Sequence, residues 1–291
     1  MIPHGFEYHT PASLSEAVAL LKKHKDKAKL LSGGQSLIPL MKLRFAQPSV
    51  IVDINGIKGL DYMTEKAGAL RIGALVREAD LETSKVVAKH FPVILDAVKM
   101  IADPQVRNRG TVCGNLAHGD PANDQPAIML ALGAILVAQG RGKERLIPVA
   151  KFFVGTLTTA LSAEEILKEI RVPIPPARSG GAYLKLERRV GDFAIVGVAT
   201  QVTLDRAGKI ESAGIGLTNV GAVPIKAVDA EAFLIGKDPT EDNFAHAGEL
   251  AQKASSPSSD NRAPADYKRA MVKELTLRGL RRSVERAKGG R

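Results

Sequence analysis

The chain has 291 residues, 45% of them hydrophobic, and a formal net charge of +10 at pH 7. That length suits two domains, or one domain with a satellite, and no apolar run reaches the roughly 20 residues that span a bilayer. Cys113 is the only cysteine, which excludes an intrachain disulfide, a multi-cysteine zinc site and a self-contained iron–sulfur cluster.

In chain order, Leu14, Ala17, Leu20 and Leu21 recur with a helical period, predicting a helix over Leu14–Lys23 with Ser13 as its cap. Lys29-Leu30-Leu31 reads as a short strand entering the glycine turn Ser32-Gly33-Gly34-Gln35-Ser36. The apolar run Leu37–Leu43 follows, then a buried strand over Ser49–Ile54 closed by Asn55-Gly56. Residues 1–57 therefore form a small β-α-β unit. Leu70–Ala74 reads as a strand, Arg77–Val87 and Phe91–Ile101 as helices, the second stopped by Asp103-Pro104. A second glycine turn, Thr111-Val112-Cys113-Gly114-Asn115, precedes a helix over Asp124–Leu132 and a strand over Ala134–Ala138. The run Glu164–Val172 ends at Pro173.

Pro173, Pro175 and Pro176, closing with Ser179-Gly180-Gly181, mark a linker. This divides the chain into residues 1–57, 58–175 and 176–291. Beyond the linker, strands are expected at Tyr183–Leu186, Phe193–Ala199, Gln201–Leu204 and Ala213–Val220. Helices follow at Glu231–Leu234, Phe244–Ala254 and Tyr267–Ala287, and Ser255–Asp260 reads as a flexible loop. Strands followed by helices argue for an α+β C-terminal domain.

The positive charge raises nucleic-acid binding. With no Trp and 4% aromatic residues, however, a base-stacking platform is poorly supplied. The basic residues cluster only at Lys22–Lys27 and in the tail Arg278–Arg291. A solvated helix end and basic terminus, a nucleic-acid patch and a docking face for acidic partner subunits are the three readings. The histidines His4, His9, His24, His90, His118 and His246 include no i, i+4 pair, so a metal centre built by this chain alone is not expected. The start, Met1–Phe6, has neither a basic nor an apolar leader region, and a cytoplasmic protein without a membrane span is expected.

The two glycine turns carry the chemistry. Glycine lets the backbone approach a ligand closely and aim N–H groups at it, while Ser, Thr and Asn add donors. Two such turns suggest one diphosphate ligand held from two sides. Neither matches GxGxxG or GxxxxGK[ST], which weakens a nicotinamide Rossmann domain and an ATPase. The second turn continues as Leu116-Ala117-His118-Gly119-Asp120-Pro121. A hydrolytic reading would use Cys113 as nucleophile with His118 and Asp120 or Asp124; the alternative is a small packing cysteine.

The run Arg109–Pro121, with Phe152-Phe153-Val154-Gly155, Glu164–Leu167, Tyr183–Arg189 and Gly191-Asp192-Phe193-Ala194, resembles the FAD-binding medium subunit of the molybdenum hydroxylases. That family includes aerobic carbon monoxide dehydrogenase and xanthine dehydrogenase. The resemblance runs in order along essentially the whole chain. It implies a two-part FAD-binding domain of the vanillyl-alcohol-oxidase-like (PCMH) type, followed by a C-terminal α+β domain with a small antiparallel sheet and helices. It also implies two partners, a large molybdopterin-binding subunit and a small [2Fe–2S] subunit, assembled as a dimer of heterotrimers. The chain would take electrons from the [2Fe–2S] clusters through FAD to an external acceptor. The competing reading is a basic anion- or nucleic-acid-binding protein on a flavin-type scaffold without redox activity.

By the resemblance, Lys29, Leu30, Leu31, Ser32, Gly33, Gly34, Gln35, Ser36 and Leu37 wrap the FAD diphosphate and ribityl chain. Thr111, Val112, Cys113, Gly114 and Asn115 bind from the other side. Asp124 holds a polar group of the adenosine or ribityl portion, and Ile101 and Leu167 pack against the cofactor. Lys185 lies near the pyrimidine edge, where positive charge favours reduced flavin. The family usually has Gly where Cys113 stands, so its Cβ and Sγ are expected to crowd the phosphate or ring. No cysteine cluster for an additional [4Fe–4S] centre is present.

Overall fold

A computed structural model describes residues 2–142 and 144–289; Met1, Lys143 and the last two residues of the basic tail, Gly290 and Arg291, lie outside the described residues. The chain begins with β1 (Glu7–His9), α1 (Leu14–His24), β2 (Ala28–Leu31), α2 (Leu37–Lys42) and β3 (Val50–Asp53). The three strands form a parallel sheet in the order β1-β3-β2, with Tyr8 opposite Ile51 and Leu30 opposite Val52. The Ser13 hydroxyl accepts from the Glu16 N–H and starts α1, which lays Ala17, Val18 and Leu21 into the core.

The middle stretch contains β4 (Met63–Lys66), β5 (Ala69–Gly73), α3 (Glu78–Thr83), α4 (Lys85–His90), α5 (Pro92–Val98), α6 (Pro104–Arg107), α7 (Val112–His118) and α8 (Asp124–Leu132). Then come β6 (Ile135–Gln139), β7 (Glu144–Pro148), β8 (Phe153–Gly155), β9 (Thr158–Thr159) and β10 (Ile166–Pro173). A five-stranded antiparallel sheet runs β4-β5-β10-β6-β7, so the run ending at Pro173 is its central strand. The helix expected over Arg77–Val87 is two helices, because Ser84 leaves the helical region at ψ 121° and caps the second through the Val87 N–H.

The last stretch contains β11 (Ser179–Leu186), β12 (Val196–Leu204), β13 (Ile210–Thr218), β14 (Ile225–Lys226), α9 (Val228–Leu234), α10 (Glu241–Ala254) and α11 (Ala265–Ala287). Its strands form one antiparallel sheet in chain order. Two expectations are corrected here. Ser179-Gly180-Gly181 is not linker but the start of β11, where Gly180 lies so close to α11 that an added Cβ would stand 2.2 Å from the Ser283 carbonyl oxygen. The two strands expected over Phe193–Leu204 are one strand, β12, which continues through Gln201. The Ser255–Asp260 segment is irregular but tied down: the Ser256 N–H donates to the Val220 carbonyl at 2.8 Å, and Lys268 Nζ to Asp260 Oδ2 at 2.7 Å.

Helix α8 is buried on every side and joins the two larger sheets. On its far side it meets β13 at two glycines. A Cβ on Gly214 or Gly216 would stand 1.9 Å from the carbonyl oxygen of Ala131 or Ala127. Only glycine permits that approach. Asp96 on α5 receives a two-pronged ion pair from Arg286 of α11, with N···O distances of 2.6 and 3.0 Å, which ties the C-terminal helix to the middle stretch.

Candidate functional site

The two glycine-rich segments meet edge to edge. β2 delivers Ser32–Ser36 at its C-terminal end, and the bend after Gly110 delivers Thr111. The contact is backbone on backbone: a Cβ on Gly33 would lie 2.5 Å from the Arg109 carbonyl oxygen and 2.8 Å from the Thr111 nitrogen. Gly34 has φ +77°, a conformation that side chains disfavour. The Ser32 and Thr111 hydroxyls are bonded at 3.0 Å, and Asn55 Nδ2 holds the Ser32 carbonyl at 2.8 Å. Arg77 spans the junction, donating to the Arg109 carbonyl at 2.6 Å and to Asn55 Oδ1 at 2.7 Å. Among the described residues, the backbone N–H groups of Gly33, Gly34, Gln35 and Ser36 have no acceptor.

These segments line a cleft of about 650 Å³. Lys29, Leu30, Leu31, Ser32, Gly33, Gly34, Gln35, Ser36 and Leu37 line it, together with Ile101, Thr111, Gly114, Asn115, Asp124 and Leu167. A second hollow of about 740 Å³ lies between α1 and residues 139–142 and carries none of these groups.

The second turn is not a loop. Thr111 is the N-cap of α7, its hydroxyl accepting from the Gly114 N–H at 3.1 Å. In that helix Val112, Cys113 and Leu116 face the core and are fully or almost fully buried. Val112 and Cys113 therefore do not line the cleft. The expected crowding by Cys113 does not occur, because its Sγ points the other way, toward the carbonyls of Gly73 and Ile72 at 3.7 and 3.9 Å. Burial pushes its thiol well above the ordinary range. This removes the nucleophile of the hydrolytic reading, which needs an accessible thiolate. Burial also lowers His118, keeping its imidazole neutral at the cleft wall.

Asp124 opens α8 and is 6% exposed. It accepts from the Tyr183 hydroxyl at 2.5 Å and from Lys185 Nζ at 3.1 Å. Burial raises its carboxyl, with Lys185 opposing the shift. Lys185 itself does not reach the cleft surface. Its side chain is 1% exposed, and its Nζ is divided among Asp124, the Met100 carbonyl at 2.9 Å and Glu187 at 3.3 Å.

Several cleft residues were not foreseen. Glu78 is buried at the floor, where Oε2 accepts from Gln125 Nε2 at 2.7 Å and Oε1 has no partner among the described residues. Desolvation pushes its carboxyl up to about 7. Nothing in the sequence around Glu78 separates it from an ordinary first-turn helix glutamate. Asn115 Oδ1 is likewise buried and unpartnered. Gly191, Asp192 and Phe193, from the loop between β11 and β12, bring the C-terminal stretch to the cleft, and Leu157–Ala163 close another side. Gly191 seats this loop on the Ala102 backbone, where a Cβ would lie 2.8 Å from the carbonyl oxygen.

Comparison with known proteins gives the same picture. Residues 4–175 match the family described as FAD binding domain in molybdopterin dehydrogenase, and residues 181–283 match the CO dehydrogenase flavoprotein C-terminal domain. The carbon monoxide dehydrogenase medium chain of Hydrogenophaga pseudoflava is 43% identical over 281 residues, covering 96% of this chain and 97% of that one. The 6-hydroxypseudooxynicotine dehydrogenase complex subunit alpha of Paenarthrobacter nicotinovorans is 37% identical over 288 residues, covering 99% and 97%. The solved carbon monoxide dehydrogenase of Hydrogenophaga pseudoflava lacking the Mo-pyranopterin moiety superposes with TM-score 0.96 at 45% identity, covering 98% of this chain and 99% of that one. Matched along both stretches, the chain belongs to the FAD-binding family of the molybdopterin dehydrogenases and is an FAD-dependent oxidoreductase subunit of the molybdenum hydroxylase type.

Proposed function

We propose that the cleft holds the FAD diphosphate between Ser32–Ser36 and the Thr111–Asn115 segment. In this reading the chain takes electrons from the [2Fe–2S] clusters of a small subunit and passes them to an external acceptor. A large molybdopterin subunit would supply the electrons and choose the substrate. The observation that carries the reading is the row of four N–H groups from Gly33 to Ser36 without an acceptor, at a place where a Gly33 side chain would not fit. Consecutive free N–H groups form an anion cradle, and a diphosphate supplies the acceptors they lack. The unpartnered Asn115 Oδ1 adds a second unmet hydrogen-bonding need at the same cleft.

Bound FAD supplies the redox chemistry. The chain binds and orients it. Ile101 and Leu167 offer apolar packing, and Asp124 presents a carboxylate to a cofactor hydroxyl. Lys185, buried behind Asp124, positions that carboxylate without touching the cleft surface. Cys113 and Val112 act through packing. The division into residues 1–57, 58–175 and 176–291, one stretch for each of the three larger sheets, is part of the proposal. So are a dimer of heterotrimers as the assembly and the cytoplasm as its location.

Co-expression with a molybdopterin-type chain and a chain bearing cluster-type cysteines tests this reading. The expected outcome is a yellow complex whose flavin bleaches on anaerobic addition of the complex's substrate. A colourless protein that takes up no FAD on reconstitution would overturn it.

A further inference from the structure

Three side chains unused by the cleft converge at the opposite end of the N-terminal sheet. On β1, Glu7 and His9 are two residues apart and so share a face. Helix α1 ends at His24, whose ring centroid lies 5.6 Å from that of His9, at an interplanar angle of 35°. Glu7 Oε2 lies 3.5 Å from His9 Nε2, and one ligand atom from each of the three residues lies within 4.8 Å of the other two. We infer that Glu7, His9 and His24 form a binding site for a divalent transition cation of the zinc class.

The chemistry of the unpaired atoms supports this. The Nε2 atoms of His9 and His24 are both shielded from water, and neither has a hydrogen-bond partner among the described residues. A buried histidine kept only for packing normally satisfies that nitrogen with a carbonyl or hydroxyl, because leaving it unmet costs about 1–3 kcal/mol. Here two such histidines stand with their rings 5.6 Å apart, beside a carboxylate 3.5 Å from His9 Nε2. Two imidazoles and one carboxylate are a zinc donor set with a fourth position left for water. Calcium and magnesium are disfavoured, since they prefer an all-oxygen shell.

The spacing is close to what coordination needs. Two ligands at about 2.1 Å from a tetrahedral ion stand about 3.4 Å apart. The Glu7–His9 pair already meets that separation at 3.5 Å. Side-chain rotation closes the rest, since Glu7 is exposed and both rings are only half-buried. The ion would tie the edge strand β1 to the end of α1, and so brace the unit that presents Ser32–Ser36. The histidines are 15 residues apart in sequence, and only the fold of this unit brings them together.

The test uses the full-length chain without a polyhistidine tag, stripped with a chelator and titrated with zinc sulfate by calorimetry. One saturable site per chain is expected, weakened at least about tenfold in His9→Gln, in His24→Gln and in the exposed-strand variant Glu7→Gln. His246→Gln, on α10, leaves it unchanged. Zinc raises the unfolding temperature of the parent chain but not of His24→Gln. No saturable zinc binding by the parent chain would overturn the inference. Equal binding by the folded His9→Gln/His24→Gln double variant would do the same.

Discussion

Glu78 shows what a buried carboxyl under the cleft costs the fold. Its carboxyl sits with one oxygen on Gln125 and the other unmet, and desolvation lifts it from 4.5 to about 7. A carboxyl raised in the folded state favours folding while protonated in both states, and that advantage is lost as pH rises from about 4.5 to 7. Glu78→Gln has no proton to lose. Urea unfolding across pH 4 to 8 is therefore expected to show the variant matching the parent in acid and exceeding it by about 3 kcal/mol above pH 7. A constant difference across that range would contradict the assignment. Cys113 teaches the complementary lesson. That Thr111, Gly114 and Asn115 would line a cleft was legible from their residue types, but the inward direction of Val112 and Cys113 was not. Side-chain direction there depends on α7 being a helix, which buries its apolar positions against Ile72 and Gly73.

Elements were legible where pattern and punctuation agreed. Ser13 and the period of Leu14–Leu21 place α1, and the apolar run closed by Asn55-Gly56 places β3. They were misread where a weak local preference is overridden by packing. Gly114 and Asn115 are poor helix formers, yet α7 forms because Thr111 caps it and three apolar side chains hold it to the core. Thr200 falls between the two strands expected there, but both neighbours in the sheet pair through it, Ala182 on β11 and Ile215 on β13. The glycines of β13 carry an element-scale consequence. With 1.9 Å between a hypothetical Gly216 Cβ and the Ala127 carbonyl oxygen, Gly216→Ala forces β13 and α8 apart. A loss of about 3 kcal/mol in chemical denaturation is expected. A variant as stable as the parent would show that this close approach is not needed.

At the scale of the molecule, the cleft is a joint product. The end of β2 supplies Ser32–Ser36, α6 to α8 supply the facing wall, and the loop after β11 supplies Gly191–Phe193. Motifs in the right order along the chain made this architecture legible as a family resemblance. Long-range juxtapositions were not, because spacing along the sequence does not report them: Glu78 under the cleft and the meeting of His9 with His24 appear only once the chain is folded. The most direct measurement is the flavin content of Gly33→Ala, purified beside Gly56→Ala, whose added Cβ meets nothing within 4 Å. Both should keep the parent's circular dichroism. Gly56→Ala should hold a full complement of FAD, and Gly33→Ala should bind it at least about tenfold more weakly, since a Cβ 2.5 Å from the Arg109 carbonyl pries the two segments apart. A folded Gly33→Ala chain with undiminished FAD would contradict the placement of the diphosphate between them.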